Sequence, residues 1–144
     1  MKHCLPGAAF ALLISMAILS VGCSSGSTAS SATFTEVYTT ILGKSCTNST
    51  CHFSGVGAAL GALDMSSQPN AYTNLVNVSA AGTACGASGL IRVVPSDPNT
   101  SLMYEKVHDA SPPCGAQMPF HLTPLSADEQ SLIFDWINAG AQNN

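Results

Sequence analysis

The stretch SADEQSLIFDWINAG, residues 126–140, reads as a helix from end to end. Ser126 and Glu129 have the spacing of a capping box, in which hydroxyl and carboxylate each take up an N–H group that a helix start leaves over. Leu132, Ile133, Trp136 and Ile137 then form one apolar stripe, and Gly140 stands where a helix stops. A helix apolar on one side must bury that side against something. The chain offers a match upstream: Phe34, Val37, Tyr38, Ile41 and Leu42 repeat at helical spacing behind Thr33 or Thr35 as a cap. The pattern predicts a helix over 33–45 and a packing of the two flanking helices on each other.

Between them the signal is weaker. Residues 53–68, rich in Gly and Ala, read as irregular chain, and a short helix is expected over 69–76, where Tyr72, Leu75 and Val76 share a face. Residues 82–89 read as a loop. Leu90-Ile91-Arg92-Val93-Val94 is an extended run stopped by Pro95. Asp97-Pro98, with Ser96 or Asp97 as cap and Pro98 in the first turn, opens a further helix through Leu102, Met103, Lys106 and Val107. The expected fold is therefore mostly α: one domain over residues 34–144, with packed flanking helices and a loop-rich middle.

Lys and Arg total 4 against 8 Asp and Glu among 144 residues, a formal charge of -4. So few cations argue against a phosphate-backbone partner, which excludes nucleic acid. Met1-Lys2-His3 followed by the apolar run Ala8 to Leu19 has the form of an export signal over residues 1–22 and is short for a membrane span. Leu19-Ser20-Val21-Gly22-Cys23 is similar to a bacterial lipoprotein signal, with Ser20 where Leu is usual and Cys23 as the residue to be acylated. That reading is preferred over an ordinary secretory signal cut nearby. Residues 23–33, dominated by Ser, Ala, Thr and Gly, form a tether. The expected location is the bacterial cell envelope, periplasmic or surface-exposed, with a membrane anchor through lipid on Cys23.

Of six cysteines, Cys4 lies in the signal and Cys23 would carry lipid, leaving Cys46, Cys51, Cys85 and Cys114. Exported thiols form disulfides or serve a cofactor, and four cysteines allow three pairings. Cys51-His52 points to the cofactor. In c-type haem attachment two thiols add to the porphyrin vinyl groups and the histidine after the second ligates the iron, usually as C-x-x-C-H. Here four residues separate Cys46 from Cys51, so the intervening chain must loop outward. Met118, in the Pro-bracketed segment Gly115-Ala116-Gln117-Met118-Pro119, is the candidate ligand for the opposite haem face, with His121 and His108 as competitors. Met65 and Met103 read as apolar packing.

The order of short elements resembles the small c-type cytochrome domains of exported proteins in planctomycetes, myxobacteria and similar bacteria. The elements are Cys51-His52, residues 61–66 (GALDMS), Ala71-Tyr72 with Leu75-Val76, residues 93–98 (VVPSDP) with Ser101-Leu102, Cys114-Gly115 with Met118-Pro119, Pro124-Leu125-Ser126, and Trp136-Ile137 with Gly140-Ala141. They cover about residues 34–141. The resemblance implies a mostly helical cytochrome c fold, one haem c, His52 and Met118 as axial ligands, and electron transfer with redox partner proteins of the envelope. The chain departs from the family in the enlarged gap before Cys51, which bears on attachment at Cys46 more than on ligation by His52. If Cys46 and Cys51 take haem, a Cys85–Cys114 disulfide is the simplest fate of the remaining pair.

The chemistry expected is therefore that of an electron carrier rather than a catalyst, since no acid–base pair can be named beside the candidate iron. A haem-free, disulfide-stabilised envelope lipoprotein serving as a binding or structural module is the alternative. In it Cys46 and Cys51 close a small disulfide loop. A zinc or copper site of Cys and His is disfavoured, because exported thiols oxidise and the ligand order lacks a blue-copper spacing.

Overall fold

The structure is a computed structural model, and it describes residues 32–48, 51–55 and 61–144. The export signal, Cys23 and nearly all of the tether lie outside the described residues, as does part of the Gly/Ala-rich stretch. The fold is mostly α. Helix α1 spans Phe34–Val37 and passes directly into a π-helix over Tyr38–Cys46. Helix α2 covers Gln68–Leu75, a 3₁₀ turn Pro98–Thr100, helix α3 Leu102–His108 and helix α4 Ala127–Asn138. Among the described residues no helix is long and apolar enough to cross a membrane.

The two flanking helices meet as their stripes predict. Phe34, Val37, Ile41, Ile133, Trp136 and Ile137 are all buried in one core, and the Phe34 and Trp136 rings lie 5.0 Å apart. Tyr72 of α2 stands edge-on to Phe34 at 5.2 Å, so three elements share one aromatic centre. Both flanking helices start on a full capping box, Thr33 with Glu36 and Ser126 with Glu129. Asn144 is tied to the start of α1: Phe34 N–H donates to Asn144 Oδ1 and Thr35 N–H to the Asn144 carbonyl.

Two local expectations are corrected. The first helix widens to π geometry after Val37, a winding that an α-helical pattern does not anticipate. Here the Thr39 and Thr40 hydroxyls donate to the carbonyls of Thr35 and Glu36, a competing partner for the backbone. The helix expected from Pro98 breaks at Ser101, whose backbone is extended. Fully buried Ser101 spends its hydroxyl on the Asp97 carbonyl and accepts the Val94 N–H, fixing a corner rather than a turn of helix. The run 90–94 pairs through isolated bridges, Val76 with Val93 and Ser79 with Ile91.

A disulfide joins Cys85 to Cys114 across a separation of 29 residues and staples the 82–89 loop to the segment after α3. Chain entropy assigns roughly 3 to 4 kcal/mol to closing a loop of that length. A Cys85→Ser/Cys114→Ser double variant is therefore expected to lose about that much stability in urea unfolding at an unchanged fold; an unchanged midpoint contradicts it.

Candidate functional site

The π-helix ends on Cys46, and the chain beyond it folds straight back. Cys51 N–H donates to the Asn48 carbonyl at 2.9 Å, and His52 N–H donates to the Cys46 carbonyl at 2.9 Å. The enlarged gap is thereby closed at its base, so Cys46, Cys51 and His52 all face one cavity. Cys46 and Cys51 are both thiols, not joined to one another as the small-loop disulfide would require.

His52 is held from several sides. Its carbonyl accepts Met65 N–H at 2.8 Å, and its ring Nδ1 lies 3.3 Å from the Leu63 carbonyl. A carbonyl can only accept, so this contact assigns the proton to Nδ1 and leaves the Nε2 lone pair as the ring's donor to a metal. Burial, first of all, lowers the imidazole pKa, and the positive charges of Arg92 and Lys106 push it the same way. The neutral form that a metal needs is the favoured one.

The cavity holds about 300 Å³, at the lower end of small-molecule sites. Most of its wall is apolar: Leu42, Leu63, Leu75, Leu102 and Val107 contribute, as do Met65 and Met103, which therefore pack and line the site at once. Met118 lines it too, on a segment tied to α3 by the bond from Met118 N–H to the Lys106 carbonyl at 2.7 Å. The rival ligands lie elsewhere. His108 is exposed, stacked on Tyr104 with Nδ1 3.0 Å from Gln130 Oε1, and exposed His121 packs its ring on Phe120. Neither lines the cavity. Trp136 belongs to the core and not to this wall. Among the described residues no three His, Cys, Asp or Glu side chains converge on a common point. That bears on a zinc-type site built from protein alone, not on an iron that arrives inside a macrocycle.

Two cations in the wall went unmarked in the sequence. Arg92, 6% exposed, donates to the Asn74 carbonyl at 2.7 Å and to the Ala62 carbonyl at 2.6 Å. Lys106 donates from Nζ to the carbonyls of Cys114 and Ala116 at 2.7 and 3.1 Å. Neither has a carboxylate partner among the described residues, and burial lowers the pKa of each. The signal available was the run Leu90-Ile91-Arg92-Val93-Val94: an arginine amid apolar residues, in a chain with four cations, is a candidate for burial with a purpose.

Burial, assisted by the neighbouring charge of Cys51, pushes the Cys46 thiol up to about 12 from 9.0. In the cofactor-free protein Cys46 is expected to react with iodoacetamide at pH 8 roughly a thousandfold more slowly than an ordinary thiol, following its thiolate population. Peptide mass mapping over time measures this, and labelling at the ordinary rate contradicts it. No protein-family description, curated protein or solved structure matches this chain.

Proposed function

We propose that the protein is a haem c-binding electron carrier of the bacterial cell envelope, with one haem attached through Cys46 and Cys51 and ligated by His52 and Met118. The observation that carries this reading is the convergence of two thiols, an imidazole with Nδ1 directed at a carbonyl, and a thioether on a single apolar cavity. A bound haem would supply a one-electron iron couple inside a low-dielectric wall.

The chain's own residues do the rest. Leu63 fixes the imidazole tautomer and keeps Nε2 available. A neutral thioether from Met118 favours a higher potential than a second imidazole would. The apolar wall disfavours the extra charge of the oxidised state, which raises the potential further. Arg92 and Lys106 are suited to the two carboxylates of the porphyrin: Arg92 is buried and Lys106 half-buried, and both are positively charged and without an acidic partner among the described residues. The net charge of -4 favours a redox partner with a basic docking face, and Cys23 remains the candidate lipid anchor.

Expression with a cytochrome c maturation system, then a pyridine haemochrome spectrum and the mass of the denatured chain, tests the proposal. One covalent haem is expected; a colourless protein of unmodified mass overturns it and returns the disulfide-stabilised module. In the haem-loaded protein, Met118→Ala is expected to lower the midpoint potential or admit added ligands such as imidazole, and Met118 is not the ligand if neither happens. Lys106→Gln is expected to lower the potential as well, because losing a nearby positive charge eases the oxidised state; an unchanged value counts against its role.

A further inference from the structure

The imidazole of His52 lies close against the Gly61 backbone. A methyl carbon built at Gly61 would lie 2.9 Å from His52 Cε1 and 3.2 Å from Nδ1. No ordinary carbon contact is that short, so residue 61 must lack a side chain for the ring to stay where it is. Gly61 is itself backed by a second glycine: a methyl carbon at Gly82 would meet the Gly61 oxygen at 2.9 Å and its Cα and carbonyl carbon at 3.0 Å. These neighbours are main-chain atoms, which cannot rotate aside. The ring, the Gly61 backbone and the Gly82 backbone thus form three layers in direct contact.

We infer that Gly61 and Gly82 are positioning residues for His52, a backbone stack that sets where the imidazole stands and keeps its Nδ1 on the Leu63 carbonyl. The segment bearing Gly61 is anchored on its other side. Arg92 donates to the Ala62 carbonyl at 2.6 Å, Met65 N–H donates to the His52 carbonyl, and Ala62 holds a positive φ of 47° that fixes a sharp bend there. With the segment pinned from the Arg92 side, a side chain at 61 cannot be absorbed by a retreat of the backbone. It must turn or shift the ring, lengthening a 3.3 Å contact that has little to spare. The role assigned to the ring, iron ligation, rests on the proposed haem reading; the stack that orients the ring does not.

The tests are Gly61→Ala and Gly82→Ala, read in two ways. In the haem-free protein at pH 8, long-range ¹H–¹⁵N correlation spectra of His52 are expected to show the Nδ1–H tautomer alone in the parent. Each variant should show a mixture of both tautomers, Gly82→Ala acting through Gly61. In the haem-loaded protein Gly61→Ala is expected to keep its covalent haem, lose part of the low-spin absorption to a high-spin component, and shift the midpoint potential upward. The shift follows because an imidazole without its carbonyl acceptor donates less charge to the metal. Parent-like tautomer, spin state and potential in Gly61→Ala overturn the inference. If the parent takes up no haem, the haem reading fails, and the tautomer measurement alone still decides the stack. If Gly61→Ala folds poorly, it is compared in a His52→Ala background, where the ring's space is vacant. The melting temperature should then fall for Gly61→Ala in the parent but hardly in His52→Ala, and an equal fall in both overturns the inference.

Discussion

The hydrogen bond from His52 N–H to the Cys46 carbonyl is the constraint on which the site depends. It joins the end of the π-helix to the residue that starts the return path, and so brings the two sides of the spacer together. Without it, Cys46 would finish one element and Cys51-His52 would begin another with no fixed relation between them. A backbone bond of this kind is worth only about 1 kcal/mol net, so its importance lies in registration rather than in stability. The stability behind it comes from the Phe34–Trp136–Tyr72 centre, which anchors the near end of the same helix.

The winding of that helix follows from its task. Phe34 and Val37 must face α4, while Cys46 must face the cavity. A π segment rotates less per residue than an α-helix, which changes the direction in which its last residues project. The threonine hydroxyls that donate to Thr35 and Glu36 carbonyls occupy acceptors at the transition, and Thr47 does the same to Gly43 at the far end, at 3.0 Å. Periodicity alone identified which residues are buried but not this winding, because the α and π patterns coincide over the first turn or two.

Legibility in the sequence tracked the locality of the interaction. Helix α4 was readable to its cap because Ser126, Glu129 and the stripe lie within three turns of chain. Residue type alone marked Cys51-His52 and Met118 as candidates, and they line one cavity, but it did not mark Met65 and Met103, which line it as well. The Cys85–Cys114 pairing followed from assigning the other two thiols, and the structure contains it. Arg92, Lys106 and Gly61 were harder to read as site residues: Arg92 stood out only as an arginine in an apolar run, both cations bond to main-chain carbonyls outside their own elements, and Gly61 owes its place to the ring of His52. Ser101 belongs to the same group. Its hydroxyl replaces a turn of helix with a corner, a choice set by Val94 and Asp97 rather than by its own neighbours in α3.

The charge balance of the cavity bears on what such a wall is for. Two cations partly withdrawn from water carry a desolvation cost, visible in the lowered pKa of each, and backbone carbonyls repay only part of it. In a protein whose role ended with its own packing, neutral side chains would build the same wall more cheaply. Both cations also oppose protonation of His52, so the charge that burdens the wall adds to burial in keeping the imidazole neutral. An occupant with an apolar body and acidic edges relieves the wall and uses the ring at once; a purely apolar occupant would leave Arg92 and Lys106 without a counter-charge.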